Sequence, residues 1–238
     1  MLTEKGSPEK PKRKERERPS AITYVLVAPT VKSIDNQLSE LELLFPQLKD
    51  ERFIAPKKET LPQDMEALLL LPDWSKITPG RDVTEYTKAI EMVINLIRRS
   101  GSRKIQNNLT PFELKSIKES EKMASLRQKL QKEQAGNLLT VPIQFSQYKG
   151  KSVLEVQEAM RANEERLGLL EALVMIGINK HLLRTPKDMW INCDGNIDGG
   201  KSGIFAPYIS NSDGIIRIGV RNINCPHECF TTPSIKLM

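Results

Sequence analysis

The sequence predicts an α+β chain with a mostly helical body, a small β-hairpin-containing C-terminal unit and a disordered basic N-terminal arm. Three observations carry this. Apolar residues recur three and four apart over much of 33–178, as they do on amphipathic helices. S-N-S-D-G, Ser210 to Gly214, separates two strand-like runs, and Asp-Gly is a dipeptide of tight hairpin turns. K-P-K-R-K-E-R-E-R-P, Lys10 to Pro19, has no apolar side chain beyond its prolines and cannot bury enough surface to offset its chain entropy.

The expected division is a basic arm over 1–20, a helical domain with an N-terminal strand over 21–135, an extended linker or edge strand over 136–150, and a long helix followed by a β-rich unit over 151–238. With 238 residues the chain is long enough for one large core or two small ones. Lys and Arg number 36 against 30 Asp and Glu, a net charge of +6 that suits a polyanionic partner. Aromatic residues make up only 5%, which favours recognition by charge over recognition by repeated stacking. Three cysteines are not the count of a secreted disulfide framework, so an intracellular setting, cytoplasmic or nuclear, is expected. No apolar run reaches the length of a membrane span.

Taken in order, A-I-T-Y-V-L-V-A-P, Ala21 to Pro29, reads as a buried strand closed by proline. Ser33 or Asp35 caps a helix whose Leu38, Leu41 and Phe45 share a face before Pro46 stops it. P-Q-D-M-E-A-L-L-L-L, ending at Leu71, reads as a second short helix. Asp82 and Glu85 form a capping-box pattern ahead of Tyr86, Ile90, Val93 and Ile97, with Gly101 just past the end. T-P-F-E, Thr110 to Glu113, starts a charged surface helix running to about Gln134. Pro142 then marks an edge strand or linker. From Lys151 to Ile178 the spacing predicts the longest helix, with Val153, Val156, Met160, Asn163, Leu167, Leu170 and Val174 forming a heptad seam for homo-oligomerisation or core packing. W-I-N-C, G-I-F-A-P-Y-I and I-I-R-I-G-V-R are short strands around the hairpin.

Two basic clusters are candidate nucleic-acid contacts: Lys10, Lys12, Arg13 and Lys14 in the arm, and Arg98, Arg99, Arg103 and Lys104 at a helix end without an intervening acid. At the helix end, Arg98 and Arg99 also complement the helix dipole. Cys193, Cys225, His227 and Cys229 have the ligand count of a structural zinc site, although C-x-H-x-C is tighter than the usual knuckle. No cofactor is required by the sequence, and zinc is the one that it would accommodate.

Gly195, Gly200, Lys201 and Ser202 spell a phosphate-binding loop, G-N-I-D-G-G-K-S. These eight residues resemble the first loop of deoxynucleoside kinases, and the resemblance implies that Lys201 reaches the phosphates while Ser202 ligates magnesium. A phosphate loop must run into a helix, whereas G-I-F-A-P-Y-I has strand composition. The longer stretch from Gly200 to Gly219 resembles the nucleophile loop and final hairpin of chymotrypsin-like viral proteases, which implies Ser202 as nucleophile. The two histidines, His181 and His227, do not fall on an earlier strand where such an enzyme carries its base. The reading that follows is a binding or assembly protein that contacts nucleic acid, RNA above all, through basic patches. The alternatives are a nucleotide-binding enzyme and a protein–protein scaffold.

Overall fold

The computed structural model describes residues 30–49, 53, 61–76, 86–101, 103–134, 136–184, 190–196, 205–226 and 230–236. The basic arm, the strand expected over Ala21 to Pro29 and the capping box at Asp82 and Glu85 lie outside these residues. Among the described residues the elements are α1 (Ile34–Leu44), β1 (Ala67–Pro72), α2 (Tyr86–Arg99), β2 (Lys104–Asn107), α3 (Pro111–Ser116), α4 (Glu121–Gln134) and β3 (Leu138–Gln144). They continue with α5 (Val153–Ala159), β4 (Glu164–Arg166), α6 (Leu169–Ile178), β5 (Trp190–Asn192), β6 (Phe205–Ser212), β7 (Ile215–Asn222), β8 (Phe230–Thr231) and β9 (Ser234–Lys236). A four-stranded sheet has the order β1-β3-β9-β4, and a five-stranded sheet has the order β2-β7-β6-β5-β8.

The expectation of a mostly helical body is therefore wrong, because two sheets accompany the six helices. Each sheet takes strands from both sides of 136–150, so its pairings, the β6–β7 hairpin apart, are non-local and leave no trace in local periodicity. The segment read as a second short helix ends in β1. Its A-L-L-L-L run is too short for periodicity to separate helix from buried strand, and antiparallel pairing of all six β1 residues with β3 decides it.

The long helix expected over Lys151 to Ile178 is broken as well. Ser152 and Glu155 close a capping box on α5, Met160 leaves the helix in extended conformation, and Gly168 opens α6. Between them β4 pairs with β9. The seam residues Val153 and Val156 on α5, Leu167 in the link after β4, and Leu170 and Val174 on α6 are buried within this chain. The helix expected from Thr110 is divided into α3, capped by the Thr110–Glu113 box, and α4, whose Met123 N–H is received by Ser120 Oγ at 3.1 Å.

All ten residues of α6 are buried. This helix packs against α1 and α2 and touches β1 of one sheet and β6 of the other, which puts it at the centre of the core. One apolar cluster joins Leu41, Ile90, Leu126 and Leu173 to Leu69, Leu139 and Ile235 of the first sheet and to Ile209, Ile216 and Ile218 of the second. Burying a Leu, Ile or Phe side chain of this kind contributes about 1.5–3 kcal/mol.

Two buried glutamines complete unpaired strand edges. Gln37 of α1 donates to Leu68 O at 2.8 Å and accepts from Leu70 N–H at 2.9 Å along the outer edge of β1. Gln134 of α4 both donates to Thr140 O and accepts from Thr140 N–H on β3. Helix side chains thus satisfy backbone groups that would otherwise invite pairing or stay buried and unbonded. Pairing of β3 with β9 begins at Ile143, directly after Pro142, which has no N–H to offer.

The hairpin expected at Ser210 to Gly214 is present. β6 and β7 pair antiparallel from Phe205↔Asn222 to Ser212↔Ile215, and both turn residues, Asp213 and Gly214, have positive φ, as a type I′ turn requires. No described helix is long and apolar enough to cross a membrane.

Candidate nucleic-acid interface

Alternation along the strands gives the five-stranded sheet two chemically different faces. Ile105, Ile191, Ile209, Ile216 and Ile218 point into the core. The register puts their neighbours on the other face: Lys104 and Gln106 of β2, Ile215, Arg217, Gly219 and Arg221 of β7, Ala206, Tyr208, Ser210 and Ser212 of β6, Trp190 and Asn192 of β5, and Phe230 of β8. Three cations stand on this face, and none of these strand residues is acidic.

Its aromatic side chains touch one another. The Trp190 and Tyr208 rings are near parallel, 13° apart with centroids at 5.8 Å, and both residues are half-buried. Phe230, buried beside them, meets Trp190 edge-on at 5.0 Å and Tyr208 at 5.7 Å. Gly219 explains how Tyr208 lies down. A Cβ there would sit 3.1–3.2 Å from three atoms of the phenol, so the missing side chain is what lets the ring rest on the strand.

Arg221 places its guanidinium carbon 3.7 Å from the Phe230 ring centroid. Burial lowers its pKa from the ordinary value, the mark of a cation held partly out of water, yet arginine stays charged. Both Nη atoms of Arg221 and the Nε of Arg217 are buried and find no hydrogen-bond partner among the described residues. These donors are covered in this conformation and act on the face through their charge, not through open hydrogen-bonding positions.

The helix-end cluster expected from the sequence lies at the β2 edge of this sheet. Arg98 Nε donates to Ile105 O at 3.2 Å, which covers the unpaired edge of β2, and Arg98, Arg99 and Lys104 are exposed. Arg103 points elsewhere, donating to the Lys180 carbonyl. Lys10, Lys12, Arg13 and Lys14 lie outside the described residues.

Of the phosphate-loop residues, Gly200, Lys201 and Ser202 are also outside them, and Gly195 is inside. Gly195 packs on backbone, where a Cβ would meet Arg166 O at 2.3 Å. The strands on either side, β5 and β6, pair antiparallel, whereas the kinase resemblance implies a strand running into a helix. Cys193 is buried and its thiol pKa is pushed well up by that burial, while Cys225 is exposed and His227 and Cys229 fall outside the described residues. Among the described residues no group of three or more His, Cys, Asp or Glu could hold a metal ion.

Sequence reading missed Trp190, Tyr208, Arg217, Arg221 and Phe230 as a group. The signal within one strand was R-I-G-V-R, which at period two puts Arg217, Gly219 and Arg221 on one face. What brings the aromatics beside it is the pairing of β5 with β6 and β8, invisible in the linear chain.

A second polar cluster surrounds a cavity of about 30 Å³ lined by Leu71, Trp74, Leu126, Arg127, Leu170 and Glu171 among others, room enough for water. Arg127 grips Glu119 through two hydrogen bonds of 2.9 and 3.0 Å, Trp74 donates to Glu119 at 3.0 Å, and Tyr86 donates to Glu171 at 2.8 Å. Burial pushes the Glu171 pKa up to about 7, and it pushes that of Asp194 up to about 6.

Both native pKa values are raised, so the folded chain holds these protons more tightly than the unfolded chain. Their contribution is full near pH 4 and is lost as pH rises to about 7, each by roughly 2–3 kcal/mol. Thermal melting is expected to give a higher Tm near pH 5.5 than at pH 8, and Glu171→Gln, which keeps an acceptor for Tyr86, should flatten the part of that decline due to Glu171.

Compared with known families, curated proteins and solved structures, the chain matches no family model, no curated protein and no solved structure.

Proposed function

We propose that this chain is a binding and assembly protein that holds RNA by charge on the outer face of its five-stranded sheet, with Arg98, Arg99 and Lys104 extending the contact around the β2 edge. The observation that carries the reading is that face itself, with Lys104, Arg217 and Arg221 and no acidic strand residue. Lys and Arg that neutralise phosphates release counterions, so binding of this kind weakens steeply with salt. Lys10, Lys12, Arg13 and Lys14 add a second, separable contribution from the arm.

Fluorescence anisotropy with labelled single-stranded RNA tests this at about 50 and 200 mM salt. Lys104→Gln combined with Arg217→Gln is expected to weaken binding on the order of tenfold or more, and to reduce the slope of log affinity against log salt by about 1.4, at roughly 0.7 per phosphate contact. Deleting residues 1–20 should lower the slope further without abolishing binding. Absence of binding at low salt, or an unchanged slope in the double variant, would remove this function.

A further inference from the structure

The geometry points to unpaired nucleobases as the ligand of this face: Trp190 and Tyr208 form a stacking station that selects single-stranded over duplex nucleic acid. The inference rests on the nucleic-acid reading above and adds what the face recognises.

Charge alone does not distinguish a single strand from a duplex, since both present phosphates. Aromatic surface does, because a base offers its π-face only when it is unstacked. Along β7 the outward positions run Arg217, Gly219, Arg221, and the Tyr208 ring lies over Gly219. At about 3.4 Å of rise per residue, one aromatic ring sits midway between two cations some 14 Å apart. A base on the ring would have the Arg217 guanidinium beside it for the backbone, while the Arg221 guanidinium on the other side is buried on the Phe230 ring and adds positive potential from beneath. Trp190, near parallel to Tyr208, extends the aromatic area across β5, and Phe230 braces both rings edge-on from β8.

The polar neighbours suit the same ligand. Gln106, exposed, and Ser212, half-buried, share the face and carry donors and acceptors of the kind that meet base edges and ribose hydroxyls. Duplex DNA is read by an element that enters a groove. At the Ala206 end this face is covered by α5, whose Val153 is buried with Ala206 and Ile223, and the remainder is a sheet surface fixed in register by the Asp213–Gly214 turn.

The test uses the full chain carrying Trp74→Phe, which leaves Trp190 as its one tryptophan. Two RNA probes are titrated at one salt concentration: a single strand of about ten nucleotides, within the roughly 4–16 nucleotides that one OB-fold site covers, and the same sequence fully base-paired. The single strand is expected to bind on the order of tenfold or more tighter and to quench Trp190 fluorescence, as base–aromatic stacking implies. Tyr208→Leu, which keeps bulk over Gly219, should erase about that preference while leaving duplex affinity and the salt slope unchanged.

The quenching measurement keeps Tyr208 in place, so it reads stacking even if the leucine variant folds poorly. Equal, salt-sensitive binding of both probes without quenching would overturn the stacking station and leave the charge reading standing. No salt-sensitive binding of either probe would remove both.

Discussion

Lys236→Met is expected to cost about 3–5 kcal/mol of folding stability, the usual consequence of removing one partner from a buried ion pair. Lys236 and Glu164 are cross-strand partners on β9 and β4, and both are almost completely buried. The Lys236 ammonium donates to Glu164, to Asp64 at 2.9 Å and to Gln147 at 3.3 Å, while Tyr148 donates its hydroxyl to the other Glu164 oxygen. Burial would raise the Glu164 pKa, but the bonds from Lys236 and Tyr148 outweigh it and hold the carboxyl below its usual range. Burial likewise opposes the charge on Lys236, and its partners again win.

Methionine fills the space and withdraws the charge, so Glu164 is left as a buried anion. Because its pKa must then rise, protonation relieves the penalty, and the loss should be smaller near pH 5 than at pH 7.5. Urea denaturation of the single variant and of Lys236→Met with Glu164→Gln measures this. The double variant should recover most of the stability, since two neutral groups need no mutual compensation.

Gly195→Ala is expected to destabilise the fold by about 3 kcal/mol or more, as overpacking against an unyielding surface does. The atoms that a Cβ would meet are all backbone: Arg166 O at 2.3 Å, Arg166 C at 2.9 Å and Gly168 N at 3.0 Å. They belong to the link between β4 and α6, and Gly195 N–H donates to Leu167 O at 3.3 Å in the same place. Moving that link would also draw Arg166 from the fully buried Asp194, which it meets at 3.4 Å. Thermal unfolding measures the loss. A variant with unchanged Tm and impaired ATP binding would instead favour a phosphate loop, in which this glycine serves the ligand and not the packing.

What could be read in the chain was local. The Thr110 capping box, the apolar face of α2 at Tyr86, Ile90, Val93 and Ile97, and the Asp213–Gly214 hairpin each need only neighbours in sequence, and each is found. The four-stranded sheet was not legible, because residues 67–72, 138–144, 164–166 and 234–236 meet only through tertiary pairing. Helical spacing through 153–174 was a coincidence: α5 buries Val153 and Val156, the intervening β4 is Glu-Glu-Arg, and α6 buries Leu170 and Val174 in the main core.

The candidate face divides in the same way. R-I-G-V-R shows its alternation in the sequence, whereas its aromatic company depends on strands β5, β6 and β8 lying side by side. A low overall aromatic content gave no warning that Trp190, Tyr208 and Phe230 gather at one place.

Photochemical cross-linking of a 4-thiouridine-substituted single-stranded RNA to the full chain, followed by mapping of the modified peptides, tests the central claim most directly. Cross-links on the peptides bearing Trp190, Tyr208 or Phe230, lost on competition with unlabelled RNA and at high salt, are the predicted result. Cross-links confined to the 1–20 arm and the Arg98 to Lys104 segment, with none on β5 to β8, would contradict it.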